Sequence, residues 1–204
     1  MMRMLVLALA LAASAAHATQ DAIPGLYRVH DVAPDDVLYV RARPDARARV
    51  IGEFAPGDRK IEVVAMSDDL RWGQVNVEEG AGWVALRYLI TEPGGFQGRF
   101  PSPAACFGTE PFWTVDIDDG GMGFDRLDGP QIEVPGAEWQ GAMGRSDQWS
   151  ARAFLDGRAM SVVIRTGACS DGMSDRAFGL TANVLISTDA GHEHYTGCCS
   201  LSVD

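Results

Sequence analysis

Trp149-Ser150-Ala151-Arg152-Ala153-Phe154-Leu155, then Asp156-Gly157, then Arg158-Ala159-Met160-Ser161-Val162-Val163-Ile164 is the stretch that decides the fold class. Two runs rich in apolar and β-branched residues flank an Asp-Gly pair, the pair that a two-residue hairpin turn favours. The same grammar recurs on either side. Phe112-Trp113-Thr114-Val115-Asp116-Ile117 alternates with period two and runs into Asp118-Asp119-Gly120-Gly121, and Asn183–Ser187 and His194–Cys199 flank a turn at Asp189-Ala190-Gly191. No segment keeps a helical period. The second half of the chain, residues 104–204, is therefore expected to form one antiparallel sandwich or barrel of about seven or eight strands.

The first half is punctuated differently. Val37-Leu38-Tyr39-Val40, Val50–Phe54, Lys60–Val64, Trp72–Val77 and Trp83-Val84 are five short strands separated by turns such as Pro56-Gly57-Asp58 and Glu79-Gly80-Ala81-Gly82. About sixty residues bury only a thin core, and a small barrel is the economical way to do so without long open edges. Glu92-Pro93-Gly94-Gly95 then opens a Gly/Pro-containing stretch, so the predicted division is 19–92, a linker over 93–103, and 104–204.

The amino terminus predicts an address. Arg3, an apolar run from Met4 to Ala13 and Ala16-His17-Ala18 form the three regions of a signal peptide over residues 1–18, with cleavage after Ala18. That run is too short for a bilayer, which takes roughly 20 apolar residues. The mature chain would carry 16 basic and 28 acidic residues, a net charge of −12, and would be periplasmic or secreted. Such an acidic chain, whose single lysine is Lys60, has no surface for a phosphate backbone or for anionic lipid, so nucleic acid is not expected as a partner, and with the short apolar run removed no membrane span is expected in the mature chain. Cys106, Cys169, Cys198 and Cys199 agree with an oxidising compartment. Cys106 and Cys169 are each expected to pair with one member of the 198/199 doublet, because neighbours bridge only through a strained ring and adjacent strand residues face opposite ways.

Over about residues 32–89 the elements "LYVRARPDARARVIGEF", "PGD", "RWGQVNV" and "AGWVALRYL" occur in the order and spacing of the bacterial Src-homology-3-like (SH3b) domain, which this half resembles. The resemblance implies a binding module for cell-wall peptidoglycan or peptide segments, without catalytic residues of its own. Tyr39, Trp72, Trp83 and Tyr88 supply flat apolar faces with polar tips for a shallow groove. Trp72 and Trp83 read more naturally as barrel filling, which leaves Tyr39 and Tyr88 as the better groove residues. The second half resembles a family of uncharacterised bacterial envelope proteins, through "GTEPFW" after Cys106, "CSDGMSD" from Cys169 and a terminal "GC". That resemblance implies a location and no activity.

Candidate chemistry is sparse. Disulfides from Cys106 and Cys169 would bring Glu110 toward Asp171, Asp175 and Arg176, over a floor of Trp113 and Met173, as a small polar pocket; short Asp/Ser segments equally make their own turn hydrogen bonds. His192 and His194 would share one face of a strand but lack a third ligand, and Asp116–Gly121 lacks the closing carboxylate of a calcium loop, so neither metal nor cofactor is expected. A papain-like wall hydrolase would need a free Cys106 beside a His, and no Gly-x-Ser-x-Gly elbow, HExxH helix or phosphate loop is present. The sequence thus points to an exported, non-catalytic protein docking on peptidoglycan or an envelope peptide. The alternatives are a cell-wall hydrolase, or an accessory or inhibitor protein whose acidic second half, net −8, grips a basic partner.

Overall fold

A computed structural model describes residues 23–92, 104–118, 120–129 and 131–201; the predicted signal peptide 1–18 and linker 93–103 lie outside them. The protein is all-β. Among the described residues there is no α-helix, and none of their helices is long and apolar enough to cross a membrane.

The first part holds eight strands: β1 (Gly25–Val29), β2 (Leu38–Arg41), β3 (Val50–Phe54), β4 (Ile61–Val63), β5 (Ala65–Met66), β6 (Trp72–Val77), β7 (Gly80–Ala85) and β8 (Leu89–Thr91), with a 3-10 turn at Leu86–Tyr88. They make a five-stranded sheet, β3-β2-β7-β6-β5, and a three-stranded one, β4-β1-β8, packed around Tyr27, Val29, Leu38, Val40, Ile61, Val63, Val75 and Val84. β1 and β8, absent from the five expected strands, form the second sheet with β4. Arg59 closes it, donating from Nε (2.9 Å) and Nη2 (2.7 Å) to the two carboxylate oxygens of buried Glu92.

The second part is a single antiparallel sheet of nine strands rather than seven or eight: β9 (Ala104–Thr109), β10 (Phe112–Asp118), β11 (Gly121–Arg126), β12 (Ile132–Pro135), β13 (Glu138–Gly141), β14 (Gln148–Leu155), β15 (Arg158–Cys169), β16 (Phe178–Thr188) and β17 (Gly191–Ser200). Two meanders, β9 to β12 and β13 to β17, join where β17 pairs with β9, giving the order β12-β11-β10-β9-β17-β16-β15-β14-β13. The sheet curls into a half-barrel whose inner face buries Trp113, Val115, Phe124, Trp149, Met160, Ile164 and Leu180. The decisive hairpin forms in the predicted register. Leu155 pairs with Arg158 across Asp156-Gly157, both of which take the positive φ (48° and 76°) that this turn requires.

Both disulfides start from the doublet, Cys106–Cys199 and Cys169–Cys198. Cys199 points into the core and Cys198 to the outer face, the consequence of alternation along β17. Two disulfides fit an oxidising compartment such as the periplasm or the extracellular space.

The two parts touch along one seam. Ala177 and Asn76 exchange two hydrogen bonds, Asn76 Nδ2 to the Ala177 carbonyl (2.8 Å) and Ala177 N–H to Asn76 Oδ1 (2.9 Å). Beside them Asp175 N–H donates to the Glu79 carbonyl (3.1 Å), and Gly80 and Asp175 form a parallel bridge. Further along, the Ser200 hydroxyl donates to Glu62, and Gly179 packs bare against the Val64 carbonyl and Pro24, where a Cβ would come within 2.8 and 2.9 Å.

Candidate functional site

Two surfaces gather the residues singled out in the sequence. The first is the outer face of the five-stranded sheet. Along β6 and β7 the inward positions go to Gly73, Val75, Gly82 and Val84, so alternation turns Trp72 and Trp83 outward, half-buried. This corrects the expectation that the two tryptophans fill the barrel. Gly73 and Gly82 occupy their place: a Cβ on Gly73 would meet Leu86 and Val63, and one on Gly82 would meet Val40 and Ile51. Trp83 lies opposite Gln74 on β6 and Arg41 on β2, while Trp72 lies opposite Ala85. Tyr39, 43% exposed, shares the face two residues before Arg41, whose guanidinium sits 5.6 Å from the Tyr39 ring centre. Tyr39, Arg41, Trp83 and Trp72 thus form a diagonal band across three strands. Tyr88 does not join it. It packs against the core from the end of the 3-10 turn, its hydroxyl accepting a hydrogen bond from Arg87 (3.1 Å), which also stacks on its ring.

The second surface is a hollow of about 620 Å³ on the outer face of the large sheet, where β9, β17, β16 and the end of β15 meet. Glu110, Asp171 and Met173 line it, with the Cys169–Cys198 bridge and Arg165. The Thr109 hydroxyl donates to the Asp171 carbonyl (2.8 Å), fixing the 170–177 loop to β9. Inside that loop the Asp171 carboxylate accepts the N–H groups of Met173 and Ser174 (3.0 Å each) and the Ser174 hydroxyl (2.8 Å). Those backbone donors hold its carboxyl below the usual carboxylate range, against the opposing effect of burial. Its oxygens are therefore occupied in shaping the turn.

The other predicted members sit elsewhere. Trp113 belongs to the core, 3% exposed and stacked on Phe124, because β10 alternates Trp113, Val115 and Ile117 inward; it does not floor the hollow. Asp175 faces the seam through its backbone, and the Arg176 guanidinium lies over the Phe178 ring at 5.6 Å. Among the described residues no ion pair joins Arg176 to Glu110, Asp171 or Asp175. Cys106 is buried and bonded to Cys199, which removes the thiolate that a papain-like mechanism requires. The rings of His192 and His194 engage Ser187 Oγ (3.0 Å) and Asn183 Oδ1 (3.1 Å) on the neighbouring strand.

Sequence reading missed Arg41, which lies between the band's aromatic rings, and Asn76, whose partner is 101 residues away. It also missed an apolar groove of about 400 Å³ next to the hollow, lined by Phe107, Phe112 and Leu127. Phe112, two residues after Glu110, carried the only signal: an outward phase on β10 opposite that of Trp113. Comparison with known protein families, characterised proteins and solved structures finds no match to this chain.

Proposed function

We propose that the chain is an exported, non-catalytic binding protein of the bacterial envelope, whose SH3b-like first part docks on peptidoglycan or an envelope peptide. The observation that carries this reading is the band of Tyr39, Arg41, Trp83 and Trp72 on one sheet face. Aromatic rings left half-exposed on a strand face, beside an arginine, offer flat apolar area with polar edges at low entropic cost. Sugar rings and extended peptides are both recognised that way. In this proposal residues 1–18 direct export and are removed, and the mature chain works in the periplasm or outside the cell. The large sheet supplies a second binding surface rather than a catalytic one, since its cysteines are oxidised and Asp171 is held in its turn.

The test is co-sedimentation of the mature chain with purified peptidoglycan sacculi at two salt concentrations, with muropeptide release followed in the supernatant. Salt-resistant binding without release supports the proposal. Release of muropeptides would replace it with a hydrolase, and no sedimentation would remove the wall as ligand.

A further inference from the structure

The outer face of β9 to β12 is charged in one sense only. Residues 104–135 contain seven carboxylates and a single cation, Arg126. Arg126 is already engaged, its Nη1 donating to the Tyr195 hydroxyl (2.7 Å) and to Glu193 (3.3 Å). Along β10 the outward positions are Phe112, Thr114, Asp116 and Asp118, all exposed, alternating with buried Trp113, Val115 and Ile117. Asp125 lies opposite Thr114, while Asp116 lies opposite Gly123, which pairs in turn with Glu133 on β12. With no side chain at Gly123, the Glu133 carboxylate leans over that position: a Cβ there would come within 2.9 Å of both its oxygens. Asp116 and Glu133 therefore flank one bare stretch of backbone, in register on either side of Gly123. None of Asp116, Asp125 and Glu133 forms an ion pair among the described residues.

The acidic run begins where the apolar groove ends. Phe112 and Leu127, 49% and 77% exposed, wall a groove of about 400 Å³ that Asp125 also lines. Exposed apolar side chains of this size, flanked by carboxylates of one sign, mark an interaction surface for a partner of opposite charge. The two carboxylate rows, Thr114–Asp125 and Asp116–Glu133, lie two residues apart along β10, about 6.8 Å, which is also the repeat of same-side residues in an extended chain.

We infer that the outer face of β9–β12 docks an extended cationic segment of a partner protein: one apolar side chain enters the groove between Phe112 and Leu127, and Lys or Arg side chains at alternate positions meet Asp125, then Asp116 and Glu133. This goes beyond the proposal for the first part and uses none of its residues, so either can fail alone.

The probe is a fluorescent, capped peptide Leu-Thr-Lys-Thr-Lys-Thr, with two controls in which the Leu is Ser or both Lys are Glu, titrated against the mature chain by anisotropy. The Leu/Lys peptide is expected to bind at low salt and to weaken steeply by 0.3 M NaCl, where the Debye length falls below about 8 Å. The triple variant Asp116→Asn, Asp125→Asn, Glu133→Gln should bind it about tenfold more weakly, at roughly a twofold loss per exposed pair. Leu127→Ser, a single exposed change, should weaken the Leu peptide and leave the Ser peptide unaffected. The inference is overturned if the triple variant or Leu127→Ser binds the Leu/Lys peptide as well as the parent does. Equal binding of the Glu peptide would also overturn it, as would equal binding of the Ser peptide, which reports a diffuse polycation atmosphere without a groove.

Discussion

Asn76→Ala tests whether the 170–177 loop holds the two parts of the molecule together. The Asn76 amide forms two hydrogen bonds with one residue of the opposite part, at 2.8 and 2.9 Å. Each such bond contributes about 1 kcal/mol net, and truncating one partner also strands the groups it served, the N–H and carbonyl of Ala177. Both residues are half-buried, so water recovers part of that cost, and the sum comes to about 2 kcal/mol. For a chain of this size that lowers Tm by about 4–8 °C. Scanning calorimetry should show the fall, with a broadening or splitting of the transition as the core around Val75 and Val84 uncouples from that around Leu180. Amide exchange should accelerate at Asp175 and Ala177, whose N–H groups donate across the seam, and stay unchanged at Val162 and Val184 in the sheet interior. A Tm within 1 °C of the parent, with unaltered exchange at Ala177, would refute the seam.

Three further outcomes follow from the same packing. The two N–H donors of Arg59 hold the Glu92 carboxyl below its ordinary value, with burial opposing and the Lys60 N–H assisting. A depressed carboxyl adds stability that is complete above the unfolded-chain value of about 4.3 and is lost as pH falls through the folded value. Urea midpoints between pH 6 and 3 should therefore fall more steeply for the parent than for Glu92→Gln, and parallel curves would contradict the clamp. Removing Cys106–Cys199, which spans 93 residues, should cost about 4.6 kcal/mol on the chain-entropy account, against about 3.6 kcal/mol for Cys169–Cys198, which spans 29. Denaturant titration of the two double-serine variants checks that order. Gly197→Ala would drive a methyl group into the Phe107 carbonyl oxygen across the β9–β17 pair, with Trp113 close behind. A loss of at least about 2 kcal/mol is expected, because backbone cannot yield as a side chain tip does.

What could be read from the sequence was what rests on neighbours. Hairpin β14–β15 carries its own turn chemistry at Asp156-Gly157, and β10 and β6 show their alternation over six or seven residues. Strand β1 escaped notice because Gly25–Val29 pairs with β4 and β8, more than thirty residues downstream at the nearest. β12 and β13 are four residues each, too short to establish a period. Cys106 and Cys169 could be read as the partners of the Cys198-Cys199 doublet, as the structure has them, but which of the two each one bridges could not. Which of Cys198 and Cys199 faces inward depends on the phase of β17 against β9 and on the irregularity between Thr166 and Cys169. Trp72 and Trp83 misled through composition: large apolar side chains suggested core, while the small residues between them, Gly73 and Gly82, had already taken the inward phase. Of the proposed polar pocket, Glu110, Asp171 and Met173 do come together, because Thr109 ties the loop beside β9; Asp175 and Arg176 were drawn off by the seam and by Phe178. Asn76, the residue that makes the seam, has no local signature at all.

The central claim is that the outer face of β2, β7 and β6 is the docking surface, and its most direct test is sacculus binding by the parent and by Trp83→Ser, compared at saturation with Tm measured in parallel. Trp83 is half-buried and outside the core, so its loss should leave Tm within a few degrees of the parent while weakening binding at least tenfold. Unchanged binding by a folded Trp83→Ser protein would contradict the account.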